Sequence, residues 1–99
     1  MDINKTQNGD KTVFVLSGRL DTITAPKLEA VLIPEFDTAM DVELDFAGLA
    51  YVSSAGLRVL MKGLNTADAK GASMSVSNAS EEIMEVFEMT GFSDILTIV

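Results

Sequence analysis

The sequence predicts an α/β fold: a mixed β-sheet, built from an N-terminal hairpin and parallel strands, with helices packed beside it. Three observations carry that expectation. Asp41 to Phe46 alternates Val42, Leu44 and Phe46 with Asp41, Glu43 and Asp45, the two-residue period of a strand with unlike faces. Leu57, Leu60, Met61 and Leu64 recur at i, i+3, i+4 and i+7, the spacing of a helix with one apolar stripe. Strand-like and helix-like segments then take turns along the chain, which implies parallel neighbours joined by right-handed crossovers.

Taken in order, Asp2 to Gln7 reads as a first strand, with Ile3 among polar neighbours and Asn8-Gly9-Asp10 as the hairpin turn. Thr12 to Ser17 is β-branched and aromatic. Being apolar on both faces, it belongs inside the sheet, and Gly18 is expected to end it. A helix follows from Thr24, a candidate cap, with Pro26 tolerated in the first turn, Leu28, Leu32 and Val31 inward, and Pro34 near the end. After the strand at Asp41 to Phe46 and the apolar Ala50 to Val52, Ser53-Ser54-Ala55-Gly56 opens the clearest helix. It runs to about Ala69, where Lys70-Gly71 supplies a cation and a left-handed stop. Ser73 to Val76 is a short strand. Asn78-Ala79-Ser80-Glu81 begins a helix with Ile83, Val86 and Phe87 inward, closing at Thr90-Gly91, and Ile95 to Val99 ends the chain as a strand or extended tail.

Composition narrows the chemistry. Ninety-nine residues, 47% of them apolar, suit one domain spanning 1–99. A chain of this size buries about 60% of its unfolded surface, enough for a core without metal or disulfide staples. With no cysteine and no histidine, thiolate catalysis, Ser-His-Asp constellations and imidazole or thiolate metal sites are excluded. Fifteen acidic residues against seven basic ones argue against nucleic acid as a partner and for a protein. No apolar run approaches the roughly 20 residues that span a bilayer, and Met-Asp-Ile-Asn-Lys is no leader, so a cytoplasmic protein without membrane insertion is expected.

One stretch stands apart from core building. Ser53 and Ser54 fall where an acidic strand ends and a helix begins, where the first amide groups have no intrahelical acceptor. A serine there can serve as an N-cap and nothing more; a phosphate attached to it would also meet those amides and the positive end of the helix dipole. Gly56 in the first turn costs about 1 kcal/mol of helix propensity relative to alanine, so close approach by another backbone, of this domain or a partner, must favour it.

Tyr51-Val52-Ser53-Ser54-Ala55-Gly56-Leu57-Arg58-Val59-Leu60 resembles the signature of the STAS family, the domains shared by sulfate transporters and anti-sigma factor antagonists. Members commonly show an aromatic, an aliphatic, Asp or Ser, Ser, a small residue, Gly and Leu in that order. Gly18-Arg19-Leu20-Asp21 with Thr24-Ala25-Pro26-Lys27-Leu28 is similar to the family's segment between second strand and first helix. Val42-Glu43-Leu44-Asp45-Phe46 resembles its central strand, and Phe87-Glu88-Met89-Thr90-Gly91-Phe92 its late helix and turn. Together these cover almost the whole chain.

The resemblance implies a STAS-like mixed sheet with helices beside it and, for stand-alone members, a partner switch. The unphosphorylated protein binds an anti-sigma factor of the histidine-kinase-like (GHKL) serine kinase type and frees sigma. ATP-dependent phosphorylation at the start of the second helix disables it, and a phosphatase restores it. In some members the modified residue directly precedes the glycine, a place held here by Ala55. Others read Asp-Ser-Ala-Gly with the serine before alanine as acceptor, and Ser54 occupies that place. Ser54 is therefore the expected phosphorylation site, with Ser53, standing where aspartate is usual, as second choice. Asp21, Thr22, Ser53, Ser54, Gly56 and Arg58 are the expected partner-binding residues. The missing aspartate fits an alternative: an accessory subunit of a lipid-transport ABC complex, or a regulator of an anion transporter, with no phosphoryl switch. Many members continue into a further C-terminal helix; Ile95 to Val99, if an exposed apolar tail, would favour a homodimer or a partner contact.

Competing chemistry is weaker. Asp41, Glu43 and Asp45 alternate on one strand face without convergent ligands, as a solvated surface does, with Asp45 the best exception; no metal or other cofactor is expected. Met61, Met84 and Met89 are expected to fill core gaps, while Met40 and Met74 could face either way. An enzyme is not expected, because Ser54 has no histidine base and no Gly-x-Ser-x-Gly elbow or phosphate-cradling loop is present.

Overall fold

In the computed structural model, which describes residues 1–99, the elements follow one another in the expected order. β1 (Asp2–Asn8) and β2 (Lys11–Leu20) form an antiparallel hairpin whose turn contains Gly9 at φ 64°. β3 (Asp41–Val52), β4 (Ser73–Ser77) and β5 (Thr97–Ile98) add in parallel, so that the sheet order is β1-β2-β3-β4-β5. The crossovers are α1 (Ala25–Glu35), α2 (Ser54–Lys70) and α3 (Glu81–Thr90), the last followed by a 3-10 turn at Phe92–Asp94.

All three helices cover one face of the sheet. Phe14 and Leu16 of β2 and Val42, Leu44 and Phe46 of β3 are buried there with Leu28 and Leu32 of α1, Leu60 of α2 and Ile83 and Phe87 of α3. The Phe46 and Phe87 rings lie 6.3 Å apart, fixing α3 to the same side as the others. The layers are also tied by polar contacts. Glu35 at the end of α1 receives Lys5 Nζ of β1 at 2.9 Å and the Thr12 hydroxyl of β2 at 2.9 Å. The Lys5 bond first, then Thr12, holds the Glu35 carboxyl below the usual carboxylate range against the opposing effect of burial. On the open face Glu43 accepts from Lys11 Nζ and from the Ser77 hydroxyl, and Asp45 accepts from the Ala47 amide and Asn78 Nδ2. Glu43 and Asp45 of the acidic strand face are thus hydrogen-bonded within the sheet.

Several expectations change on contact with the structure. Gly18 does not end β2: at φ 97° it forms part of an irregularity, with register shifts from Val15 to Ser17 and from Gly18 to Arg19, and the strand continues to Leu20. Val31 is exposed rather than inward; Ala25, Leu28 and Leu32 are the buried face of α1. The inward stripe of α2 is Gly56, Val59, Leu60, Gly63 and Ala67, with Leu57, Met61 and Leu64 only half-buried. Met74 is buried and Met84 packs at the core's edge, but Met61 lines a surface cleft and Met89 is 85% exposed. The apolar ending is no free tail. It forms β5 against β4, with Leu96 buried, while Ile95 and Val99 remain exposed. No helix is long and apolar enough to cross a membrane.

Candidate functional site

The parallel strands β2 and β3 end side by side, and each feeds directly into a helix, so the N-termini of α1 and α2 meet at one edge of the sheet. The Ser53 amide donates to the Leu20 carbonyl at 2.8 Å, a bond that joins the two exits. Carboxyl ends of parallel strands, with helix N-termini above them, are where α/β folds place their functional groups.

At the first exit the expected capping roles are exchanged. Thr24 is buried and its hydroxyl makes no cap bond to α1; it donates to the Arg19 carbonyl at 2.7 Å and accepts from the Asp21 amide at 2.8 Å. Asp21 supplies the acceptor that the turn needs, its Oδ1 receiving the Ile23 amide at 3.0 Å and the Thr24 amide at 3.1 Å. Those bonds, the Thr24 amide foremost, hold the Asp21 carboxyl below its usual range, with desolvation opposing and Arg19 adding a smaller push. Asp21 is therefore an ionised brace of the loop.

At the second exit the two serines divide the work. Ser53 is half-buried and caps α2, its Oγ accepting from the Gly56 amide at 3.2 Å. Ser54, the first helical residue, is exposed, and its hydroxyl makes no hydrogen bond within the chain. Gly56 is buried: a Cβ there would stand 2.7 Å from Leu20 Cγ and 3.1 Å from the Leu20 carbonyl oxygen. Its expected place in the partner surface is corrected accordingly, because the close approach that excludes a side chain is made by Leu20 of this domain. Thr22 and Arg58 are exposed and share an open cleft of about 470 Å³ between α1 and α2 with Pro26, Ala55 and Lys62. The structure thus brings together Asp21, Thr22, Ser53, Ser54 and Arg58, all five half-buried or exposed.

Two features escaped the sequence reading. Ile23, at the tip of the first exit, is 79% exposed, an isoleucine between two threonines with no periodic partner. Arg19 stacks on Tyr51, its guanidinium carbon 4.2 Å from the ring centroid, a pairing created by the register of β2 against β3. The Arg19-Tyr51 spacing in sequence gave no sign of it, although an aromatic at the end of an acidic strand was a signal. A larger cleft, about 570 Å³, lies away from this edge between α2 and β5, and Asp68 is the one charged residue among those lining it. No three acidic side chains converge as a metal site would require.

Comparison with known proteins identifies the family and the fold. The family model described as Mlab, STAS domain matches residues 3–98. The chain is 30% identical over 99 residues to an anti-sigma-B factor antagonist of Staphylococcus epidermidis, covering 99% of this chain and 92% of that one. It is 26% identical over 98 residues to the anti-sigma-B factor antagonist of Bacillus subtilis, covering 99% and 90%. Among solved structures it shares its fold with the anti-sigma factor antagonist SpoIIAA of Bacillus. The unphosphorylated form superposes with a TM-score of 0.79 at 15% identity over 99% of this chain and 87% of that one; the phosphorylated form gives 0.78 at 16% over 99% and 91%.

Proposed function

The chain belongs to the STAS domain family, and we propose that it is an anti-sigma factor antagonist switched by phosphorylation of Ser54. In this reading the unmodified edge, with Thr22, Ser54 and Arg58 around the α1-α2 cleft, binds an anti-sigma factor that is also a GHKL-type serine kinase, and sigma is released. The kinase transfers the γ-phosphoryl of ATP to Ser54 Oγ, forming the O–P bond as ADP leaves and the hydroxyl proton passes to the kinase's base. A phosphatase resets the chain, which performs no catalysis of its own.

The observation that carries the choice of residue is the division of labour between the serines. Ser53 Oγ is engaged by the Gly56 amide, whereas Ser54 Oγ is exposed and unbonded. A phosphate on Ser54 adds about −1.5 to −2 charges at the positive end of α2. The fold can hold it, so its effect falls on the bound partner. Setting that added negative charge against a docked surface shaped for the neutral hydroxyl costs several kcal/mol, and each 1.4 kcal/mol is tenfold in affinity, enough to dissolve a micromolar complex.

The test is incubation with ATP and candidate GHKL kinases, followed by mass spectrometry of intact and fragmented protein. One added phosphate on Ser54, absent in Ser54→Ala, is expected, and Ser54→Asp should bind the kinase at least tenfold more weakly than Ser54→Ala. A kinase that binds the chain yet leaves it unmodified refutes the switch at Ser54, and co-purification with an ATP-binding cassette subunit in place of a kinase overturns this reading in favour of the accessory subunit.

A further inference from the structure

We propose that Arg58 is the internal counter-ion of the Ser54 phosphoryl group, so that modification withdraws a cation from the partner-facing surface while adding a dianion to it. The inference rests on the preceding reading of Ser54 as the modified residue. Ser54 and Arg58 are both exposed and stand four residues apart on α2. At that spacing side chains are neighbours, with Cβ atoms about 5–6 Å apart.

Arg58 is also uncommitted. Of the seven Lys and Arg residues, Lys5, Lys11, Arg19, Lys62 and Lys70 each meet a carboxylate within 3.9 Å. Only Lys27 and Arg58 remain free, and Arg58 alone lies one helical turn from Ser54. The other charges packed against this turn are already engaged. Glu29 of α1 holds Lys62 at 3.0 Å, and the Asp21 carboxylate accepts two loop amides with Arg19 beside it at 3.9 Å. No carboxylate within ion-pair range competes for the Arg58 guanidinium, and no existing ion pair has to break for it to turn toward Ser54. Its planar fork presents two parallel N–H donors to two phosphoryl oxygens, a geometry that a lysine cannot reproduce.

The pairing has a consequence for the switch. A partner that meets Arg58 through a carboxylate loses that contact when the phosphoryl group captures the guanidinium, and the same carboxylate then faces a dianion. One covalent event thus removes an attraction and installs a repulsion.

The experiment places phosphoserine at position 54 by genetic encoding, which needs no kinase, and follows the phosphorus resonance by NMR between pH 4 and pH 8. The second ionisation of the phosphoryl group should fall below its usual value of about 6. In Arg58→Gln it should rise by about half a pH unit, with Arg58→Lys recovering part of the difference. Lys62→Gln should leave it nearly unchanged. Identical titrations for the native residue and Arg58→Gln, or a Lys62→Gln effect as large as that of Arg58→Gln, overturn the proposal. Because the phosphoserine is installed directly, a failed kinase reaction would refute the reading of Ser54 as substrate and still leave this titration to decide the role of Arg58.

Discussion

Replacing Gly56 with alanine sets two opposing effects against each other, and the structure decides between them. By helix propensity alone the change stabilises α2 by about 1 kcal/mol, less in a first turn than in a helix interior. Against this, the new Cβ would lie 2.7 Å from Leu20 Cγ, 3.0 Å from Leu20 Cδ2 and 3.1 Å from the Leu20 carbonyl oxygen. Leu20 is fully buried and its carbonyl already accepts the Ser53 amide, so neither the side chain nor the backbone can yield freely. Overpacking of that kind costs about 1–3 kcal/mol, leaving a net loss of about 1 kcal/mol. For a domain of this size that lowers Tm by roughly 4–8 °C. Gly63→Ala is the internal control. Its Cβ would meet side-chain atoms only, Leu32 Cδ2 at 2.8 Å and Met74 Sδ at 2.9 Å, with no backbone atom in the way, and it gains the full interior propensity. Thermal unfolding followed by circular dichroism should therefore rank Gly56→Ala clearly below Gly63→Ala. A Gly56→Ala protein more stable than the parent would refute the claim that Leu20 excludes a side chain there.

The remaining predictions concern the same edge and its support. Ser53→Ala should cost about 1 kcal/mol in urea unfolding through loss of the bond to the Gly56 amide, with Ser53→Asp close to neutral, while Ser54→Ala stays within about 0.5 kcal/mol. Thr24→Val should cost roughly 1–3 kcal/mol, since the Arg19 carbonyl and Asp21 amide both lose their partner. Asp21 and Glu35 are held below their ordinary ionisation range, so the stability they contribute is complete above about pH 5 and is lost progressively as the pH falls through the unfolded and then the folded-state values. Denaturant titrations at pH 7, 4 and 3 should show that loss, and Glu35→Gln should reduce its steepness; a stability independent of pH down to 3 would contradict the assignment.

How much of this was legible in the sequence depended on whether the signal was local. The alternation at Asp41 to Phe46, the glycine stops at Gly71 and Gly91 and the helix start within Asn78 to Glu81 are all decided within a few residues, and they were read correctly. The inward stripe of α2 was misread because periodicity weighs side-chain size. Where α2 lies close to Leu20, Leu32 and Met74, the inward positions must be small, so Gly56, Gly63 and Ala67 took the places assigned to Leu57, Met61 and Leu64. Gly18 was expected to end β2, but β3 remains paired across the irregularity that it forms at φ 97°. At the site, Ser53 and Ser54 announced themselves through the strand-to-helix junction. The stack of Arg19 on Tyr51 depends on a register between distant strands, and no single segment encodes it.

The anchoring of α2 bears on how a modification at Ser54 would be read. Three contacts fix the start of this helix: the Ser53 amide on the Leu20 carbonyl, the Ser53 hydroxyl on the Gly56 amide, and Gly56 against Leu20. None uses the Ser54 side chain. A phosphoryl group there strains no contact, and both the helix dipole and Arg58 favour it, so its local effect on stability is neutral to slightly favourable, up to about 1 kcal/mol. The modification therefore cannot signal by loosening the domain and must be read where the partner touches it. Unfolding of the phosphoserine-54 protein in urea should match or slightly exceed that of the unmodified chain while its affinity for the anti-sigma factor drops at least tenfold. A phosphoserine form destabilised by more than about 2 kcal/mol would move the switch from the surface into the fold and contradict this account.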